Sequence, residues 1–180
     1  TLTTGNADIT CRVQWKMAQT NLTLNASGST IRVNGTIFDG LSKTYDTVIL
    51  HGAITITGSN TFSSLQLTGG HTYKITSGSL QTVTAMTTSG IGIILTSSDG
   101  ATQGDLTCGA GTINIYYATI SWIHVQGGAT WNALRSTDAG NNNGWNSIGD
   151  SPPADCYWVG GSGSWSDATT HWATSSNGSP

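Results

Sequence analysis

The sequence predicts an all-β fold, a right-handed parallel β-helix in which short strands stack coil upon coil. Two observations predict it. Short segments rich in Ile, Val, Thr and Tyr recur through residues 1–125, and several of them alternate apolar and polar side chains. Glycine-containing turns separate these segments about every ten residues, and glycine adopts the backbone conformations of tight turns without steric cost.

Each predicted strand is a run of residues that suits a pleated surface, and most runs are short. The predicted strands are 8–16, 22–25, 30–33, 47–51, 53–57, 62–68, 72–76, 81–86, 91–96, 105–108, 112–117 and 120–125. Alternation places three sets of side chains on one face of their strand: Ile54 with Ile56, Ile91 with Ile93 and Leu95, and Ile113 with Ile115 and Tyr117.

A β-sandwich or jelly roll is the alternative fold, because short strands with regular turns also occur there. Three features favour the β-helix. The strands are unusually short, and many turns are Gly-Ser or Ser-Gly rather than the Asn-Gly of hairpins. The outward positions hold Thr, Ser and Asn, which suits stacked coils because like charges in neighbouring rungs would repel each other.

The composition changes near residue 122, since six of the seven Trp residues lie from Trp122 onward. Residues 150–155 (DSPPAD) have the composition of a linker. We therefore expect residues 1–150 to form a β-helix module, and 151–180 to form a linker and the start of a following Trp-rich module. The chain begins without Met or a signal-peptide pattern, so we expect it to be part of a longer protein.

Charge and cysteine content exclude several classes of protein. Only 8% of the residues are charged, the net charge is −3, and all nine acidic residues are Asp. Six basic residues cannot form a nucleic-acid footprint, and no apolar run is long enough to span a membrane. Three cysteines, Cys11, Cys108 and Cys156, are too few for a disulfide scaffold, so we predict free, buried thiols.

Three segments resemble β-helical repeat modules of large phage virion or tail-fibre proteins and of bacterial surface proteins. Residues 61–78 (TFSSLQLTGGHTYKITSG) resemble the module pattern NTFxxLTLTxGxTYxxxSG. Residues 128–145 resemble GGATxNA followed by STDxGNNTGW, although Asn143-Gly144 departs from the Asn-Thr-Gly of that pattern, and 157–172 resemble the opening YWVGGTGxW. The resemblance covers roughly residues 55–175, and residues 1–50 match only loosely. It implies a right-handed parallel β-helix in an extended appendage, and it supplies no catalytic residues.

Paired carboxylates are the signature of glycoside hydrolases, and some β-helical tail spikes degrade polysaccharides. The candidates are Asp99 and Asp105, which would lie on adjacent turns. Their contexts, Ser-Asp-Gly and Gly-Asp, are those of ordinary turns, and the chain has no Glu. We therefore predict that the protein is not an enzyme.

Metal and cofactor sites have weak signals in this sequence. The four His residues, at 51, 71, 124 and 171, lack the spacing of metal ligands. The loop from Asp138 to Asn143 offers oxygen ligands for Ca²⁺, but a single carboxylate is few. We interpret it as an Asx-rich turn that closes the β-helix above Trp145, and we predict no metal and no cofactor.

Trp158, Trp165 and Trp172 follow each other at intervals of seven residues in a segment too rich in Gly and Ser to be helical. They either pack in a cap or module junction, or stack on sugar rings. The sequence therefore predicts a structural module of a virion or cell-surface appendage, located at a virion surface or outside the cell. Its expected partners are other appendage subunits, copies of itself, neighbouring modules and host-surface glycans. A bacterial adhesin or carbohydrate-binding module is the alternative, and a polysaccharide-degrading β-helix is a weaker one.

Overall fold

The computed structural model describes residues 1–17, 21–149, 157–159, 161–163 and 171–173. These residues form strands and turns, and among them no helix is long and apolar enough to cross a lipid bilayer. The chain divides into two compact units, Thr1–Gly149 and Asp150–Pro180. The first unit carries nearly all of the described strands.

The strands of the first unit are short and evenly distributed along it. They are β1 Leu2–Thr3, β2 Asp8–Cys11, β3 Gln14–Lys16, β4 Leu24–Asn25, β5 Thr30–Val33, β6 Ile37–Asp39, β7 Thr44–Leu50, β8 Ile54–Thr57, β9 Thr61–Thr68, β10 Thr72–Ile75, β11 Leu80–Ser89, β12 Ile93–Ser97, β13 Gly104–Cys108, β14 Thr112–Tyr116, β15 Ala118–Ser121, β16 Ile123–Gly127, β17 Thr130–Leu134, β18 Thr137–Asp138 and β19 Ser147–Ile148. In the second unit, β20 Tyr157–Trp158 pairs antiparallel with β21 Trp172–Ala173.

Two seven-stranded parallel sheets run through the first unit. Their strand orders are β2-β5-β7-β9-β11-β13-β16 and β3-β6-β8-β10-β12-β15-β18. A third sheet, β14-β17-β19, forms another face of the last coils, and β1 pairs with β4. The chain visits the sheets in turn and then repeats one rung further on, so the fold is a parallel β-solenoid. The predicted β-helix is confirmed, and the sandwich alternative is wrong, because sandwich strands pair antiparallel.

Stacked apolar side chains fill the interior of the solenoid. Ile31, Val48, Leu65 and Met86 are successive backbone partners in one such ladder. All four are at most 3% exposed. Burying a side chain of this kind contributes about 1.5–3 kcal/mol, so the repeated ladders dominate the stability of the unit.

Aromatic rings fill the interior at the N-terminal coils. The ring centroids of Phe38 lie 5.0 Å from Tyr45 and 5.5 Å from Phe62, and Trp15 packs against the group. The Tyr45 hydroxyl accepts a hydrogen bond from Trp15 Nε1 at 3.2 Å and donates one to the Gly40 carbonyl at 2.9 Å. Burial raises the pKa of Tyr45 to about 12, so the phenol stays neutral.

One corner of the interior is polar, and the side-chain amides of two buried residues form its hydrogen bonds. Asn60 and Gln81 are both fully buried. Asn60 Nδ2 donates to Gln81 Oε1 at 3.0 Å, and Gln81 Nε2 donates to the Gly58 carbonyl at 2.7 Å and to Ser79 Oγ at 3.1 Å. The pair therefore supplies partners that the turn backbone would otherwise lack inside the protein.

The predicted faces are correct for Ile54, Ile56, Ile93, Leu95, Ile113 and Ile115, all of which are buried. Two assignments are wrong. Tyr117 is 40% exposed, because β14 ends at Tyr116 and a φ of +54° at Tyr117 breaks the alternation. Ile91 is 71% exposed, because Gly92, with φ +75°, turns the chain before β12 begins.

The described cysteines are free thiols. Cys108 is buried, as predicted, whereas Cys11 is only half-buried, because its strand lies at the edge of its sheet. Burial raises the pKa of the Cys11 thiol. Cys156 lies outside the described residues.

Candidate functional site

Four residues occupy the same corner in successive coils, and all have a positive φ. They are Gly70, Gly92, Tyr117 and Arg135, with φ of +79°, +75°, +54° and +52°. The pairing of the strands that follow aligns them, since Thr72 pairs with Ile94, Ile93 with Ala118, and Thr119 with Thr137. We call this column the left-handed corner.

The left-handed corner holds glycine in two coils and bulky side chains in the next two. Glycine adopts this conformation freely, whereas for an L-residue with a side chain it is about 1–2 kcal/mol less stable than the ordinary backbone conformations. Tyr117 and Arg135 are therefore backbone outliers that the surrounding ladder maintains. Outliers of this kind cluster at functional sites, which makes them a reason to look for a function here.

The side chains of Tyr117 and Arg135 interact with each other at the surface. Arg135 Nη1 donates a hydrogen bond to Tyr117 Oη at 2.6 Å, and Arg135 Cζ lies 5.7 Å from the centre of the Tyr117 ring. The ring of Tyr116 lies 6.4 Å from that of Tyr117, tilted by 42°. Tyr116 and Tyr117 are 39% and 40% exposed. Two partly exposed phenols and a guanidinium thus form one surface cluster.

A row of amides lies on the sheet beside this cluster. Asn132 Nδ2 donates to Asn114 Oδ1 at 2.9 Å, and Asn146 Nδ2 donates to Asn132 Oδ1 at 2.9 Å. Asn114 and Tyr116 alternate with buried residues on β14, so both point outward from the same strand. We call Asn114, Asn132 and Asn146 the amide ladder. Asn114 and Asn132 are backbone partners on neighbouring coils, about 4.8 Å apart, whereas Asn146 immediately precedes Ser147, the backbone partner of Asn132.

The two carboxylates considered for catalysis have structural partners. Asp99 Oδ1 accepts hydrogen bonds from the backbone N–H groups of Thr102 and Ala101, each at 2.9 Å. These hydrogen bonds hold the pKa of Asp99 well below its usual range. Asp105 Oδ1 lies 2.8 Å from His124 Nδ1 on the neighbouring strand. Asp99 therefore organises a turn, and Asp105 belongs to a cross-strand pair.

The Asp138–Asn143 loop uses its oxygens internally. Asp138 Oδ1 accepts from Gly140 N at 2.8 Å and from Asn142 Nδ2 at 2.7 Å, while Asn142 Oδ1 accepts from Ile123 N at 3.0 Å. Beneath the loop, the Trp145 ring packs edge-on against the buried Trp131 at 5.9 Å. This is the Asx-rich closing turn expected from the sequence. Across the described residues, no three His, Cys, Asp or Glu residues gather as metal ligands.

The three C-terminal tryptophans are only partly described. Trp158 is half-buried, stacks on His171 with centroids 4.6 Å apart, and donates through Nε1 to the Gly161 carbonyl at 3.1 Å. Trp172 is the backbone partner of Trp158, but its side chain lies outside the description, and Trp165 lies outside the described residues altogether. Whether these residues bind or pack stays a prediction.

Sequence reasoning missed the left-handed corner. It placed Tyr117 on the same strand face as Ile113 and Ile115, and it gave Tyr116 and Arg135 no role. The shared corner position can be recognised in the sequence only when the coils are aligned with one another. That alignment places Gly70 and Gly92 in one column with Tyr117 and Arg135. Neither a family model, a curated protein nor a solved structure matches this chain.

Proposed function

We propose that the chain is a non-enzymatic structural module of an extended surface appendage, best interpreted as a phage virion component such as a tail or tail-fibre protein. In this role it contributes to assembly and to attachment at the host surface. The observation that carries the proposal is the continuous pair of seven-stranded parallel sheets around one apolar interior. Such a stack resists bending, because each coil is bonded to the next along every sheet.

The outward faces support contact with other protein subunits. Thr30, Thr47 and Ser64 are successive partners on one face, and they present small uncharged side chains. Surfaces of this kind can approach a second subunit without the desolvation cost of buried charges. The expected partners are therefore further copies of the chain, neighbouring modules or other appendage subunits.

The environment of the carboxylates supports a non-enzymatic role. A general acid for glycoside hydrolysis needs a raised pKa, whereas hydrogen bonds from the backbone lower that of Asp99. The Asp105 carboxylate lies within hydrogen-bonding distance of the His124 ring on the neighbouring strand. Polysaccharide cleavage is therefore poorly supported by the two residues that the sequence offered for it.

A bacterial surface adhesin or carbohydrate-binding module is the second candidate function. The exposed cluster of Tyr116, Tyr117 and Arg135 favours it, because exposed aromatic rings are what sugar-binding surfaces use. Both candidates place the chain outside the cell or on a virion, and they differ in which particle carries it.

Immunogold electron microscopy separates the two candidates. Antibodies against the chain would be applied to gradient-purified phage particles induced from the source strain, and to uninduced cells of that strain. Gold on the tail or fibres of the particles is the expected result. Gold on the cell envelope, with unlabelled particles, would overturn the virion assignment in favour of the adhesin. Particles from a mutant lacking the gene are the control.

A further inference from the structure

We propose that Tyr116, Tyr117 and Arg135, together with the amide ladder, form a binding site for an acidic polysaccharide whose sugar rings carry carboxylates. The proposal rests on the attachment role proposed above, and it names the ligand class and the residues. It concerns the first unit, so it is separate from the C-terminal tryptophans.

Backbone strain is the first observation behind this site. Gly70 and Gly92 show that the solenoid turns this corner with glycine. A Cβ on Gly92 would meet its nearest neighbour, Gly70 N, at 3.7 Å, an ordinary contact, so the corner has room for side chains but a φ that disfavours them. Tyr117 is 40% exposed and Arg135 is exposed, so neither side chain fills the interior of the solenoid. We take this strained, exposed pair as the mark of a surface function.

The chemistry of the cluster defines the ligand. The faces of Tyr116 and Tyr117 can stack on the apolar C–H face of a pyranose ring. The Arg135 guanidinium is a fork of N–H donors suited to carboxylates, and its contact with Tyr117 Oη holds it at the surface. Only six of the 180 residues are basic, so a strained basic residue beside two exposed rings is a specific arrangement.

The amide ladder defines how the polysaccharide lies. Asn114 and Asn132 are backbone partners on neighbouring coils, at a rung spacing close to the length of one sugar residue, and Asn146 extends the row through its hydrogen bond to Asn132. Amides both donate to and accept from sugar hydroxyls. A polysaccharide running along the axis would thus meet amide groups on neighbouring coils while the tyrosines and Arg135 hold one ring and its carboxylate.

Affinity gel electrophoresis of the full chain tests the proposal, with polygalacturonate, alginate or hyaluronan cast into the gel and neutral dextran as the comparison polymer. Retardation by at least one uronate polymer, and not by dextran, is expected. Because the net charge is −3, retardation by an acidic polymer cannot come from overall charge attraction. No retardation by any of the three, or equal retardation by dextran, would overturn the proposal.

The variants Tyr117→Gly and Arg135→Gly test whether these two side chains bind the polysaccharide. Both place at the corner the residue found there in earlier coils, so folding is expected to survive, and a thermal melt of each variant checks it. Each is expected to weaken binding at least tenfold, with Arg135→Lys intermediate because it keeps charge but loses the fork. Tyr157→Ala, at an exposed tyrosine of the second unit, is the matched control and should bind normally.

Loss of binding in Tyr157→Ala, with normal binding by both glycine variants, would move the ligand to the second unit and refute the proposal. The outcome is independent of the immunogold result. Labelled virions with no uronate binding would remove only this proposal, whereas uronate binding by a chain found on the cell envelope would remove only the virion assignment.

Discussion

Replacing Leu65 with Ala tests the interior ladder that defines the solenoid. Leu65 is 1% exposed and lies between Val48 and Met86, its partners on the adjacent strands. The substitution removes three carbons, worth about 2.5 kcal/mol at about 0.8 kcal/mol each. Hydrogen bonds hold the neighbouring rungs about 4.8 Å apart, so they cannot close the cavity. The cavity therefore raises the expected loss of unfolding free energy to about 3–4 kcal/mol.

Urea unfolding followed by tryptophan fluorescence and circular dichroism measures this loss. With an m-value of about 2 kcal/mol/M, the midpoint for Leu65→Ala should fall by about 1.5–2 M. The matched control is Gln66→Ala, because Gln66 is the next residue on β9 and points to the outer face. The control should change stability by less than about 0.5 kcal/mol. Equal losses for the two variants, or a larger loss for Gln66→Ala, would refute the register and the ladder.

Three further predictions follow from buried or hydrogen-bonded groups. Gln81→Leu should destabilise the protein by about 1–3 kcal/mol in the same urea assay, because it leaves the backbone N–H of Asn60 without its buried acceptor. A gain in stability would show that the buried hydrogen bonds of Asn60 and Gln81 do not stabilise the fold. The pKa of Tyr45 is raised to about 12 from an unfolded value of 10, so the contribution of Tyr45 to the free energy of unfolding should be constant below pH 10. That contribution should fall by about 2–3 kcal/mol in total between pH 10 and 12. Urea melts across that range should show the fall, and Tyr45→Phe should lack this part of it. The lowered pKa of Asp99 should contribute stability above about pH 4 that is lost as the pH falls, so the acid sensitivity of melts should shrink in Asp99→Asn.

Local pattern was enough to predict the solenoid and most of its strands. Strands such as Ile54–Thr57 and Thr72–Ile75 alternate cleanly, and their period of two follows directly from the pleat. Two strands were harder to find from the sequence. Ile37–Asp39 is only three residues long, and Thr130–Leu134 follows a Gly-Gly-Ala run that reads as a loop. Both are strands because a parallel neighbour offers a complete row of hydrogen-bond partners, which local sequence does not reveal.

The left-handed corner was missed for a related reason. The series Ile113, Ile115 and Tyr117 keeps its alternation to the end, so pattern alone continues the strand. The strand in fact ends at Tyr116, and the next residue takes the conformation that Gly92 has one coil earlier. That correspondence is a matter of register between residues 25 positions apart (Ile93 with Ala118). It can be recognised only when the coils are superposed, and not from the residues that surround Tyr117 in the sequence.

The solenoid separates the residues that specify the fold from those free to acquire a function. A substitution in the ladder of Ile31, Val48 and Leu65 opens a cavity that costs several kcal/mol, so the interior tolerates little change. A corner residue projects outward, and replacing its glycine costs about 1–2 kcal/mol of backbone strain without disturbing any ladder. Exposed binding groups are therefore most easily gained at corners, where each coil offers one further position along the axis. Tyr117 and Arg135 occupy two consecutive positions of this kind, and a hydrogen bond joins their side chains across the two coils.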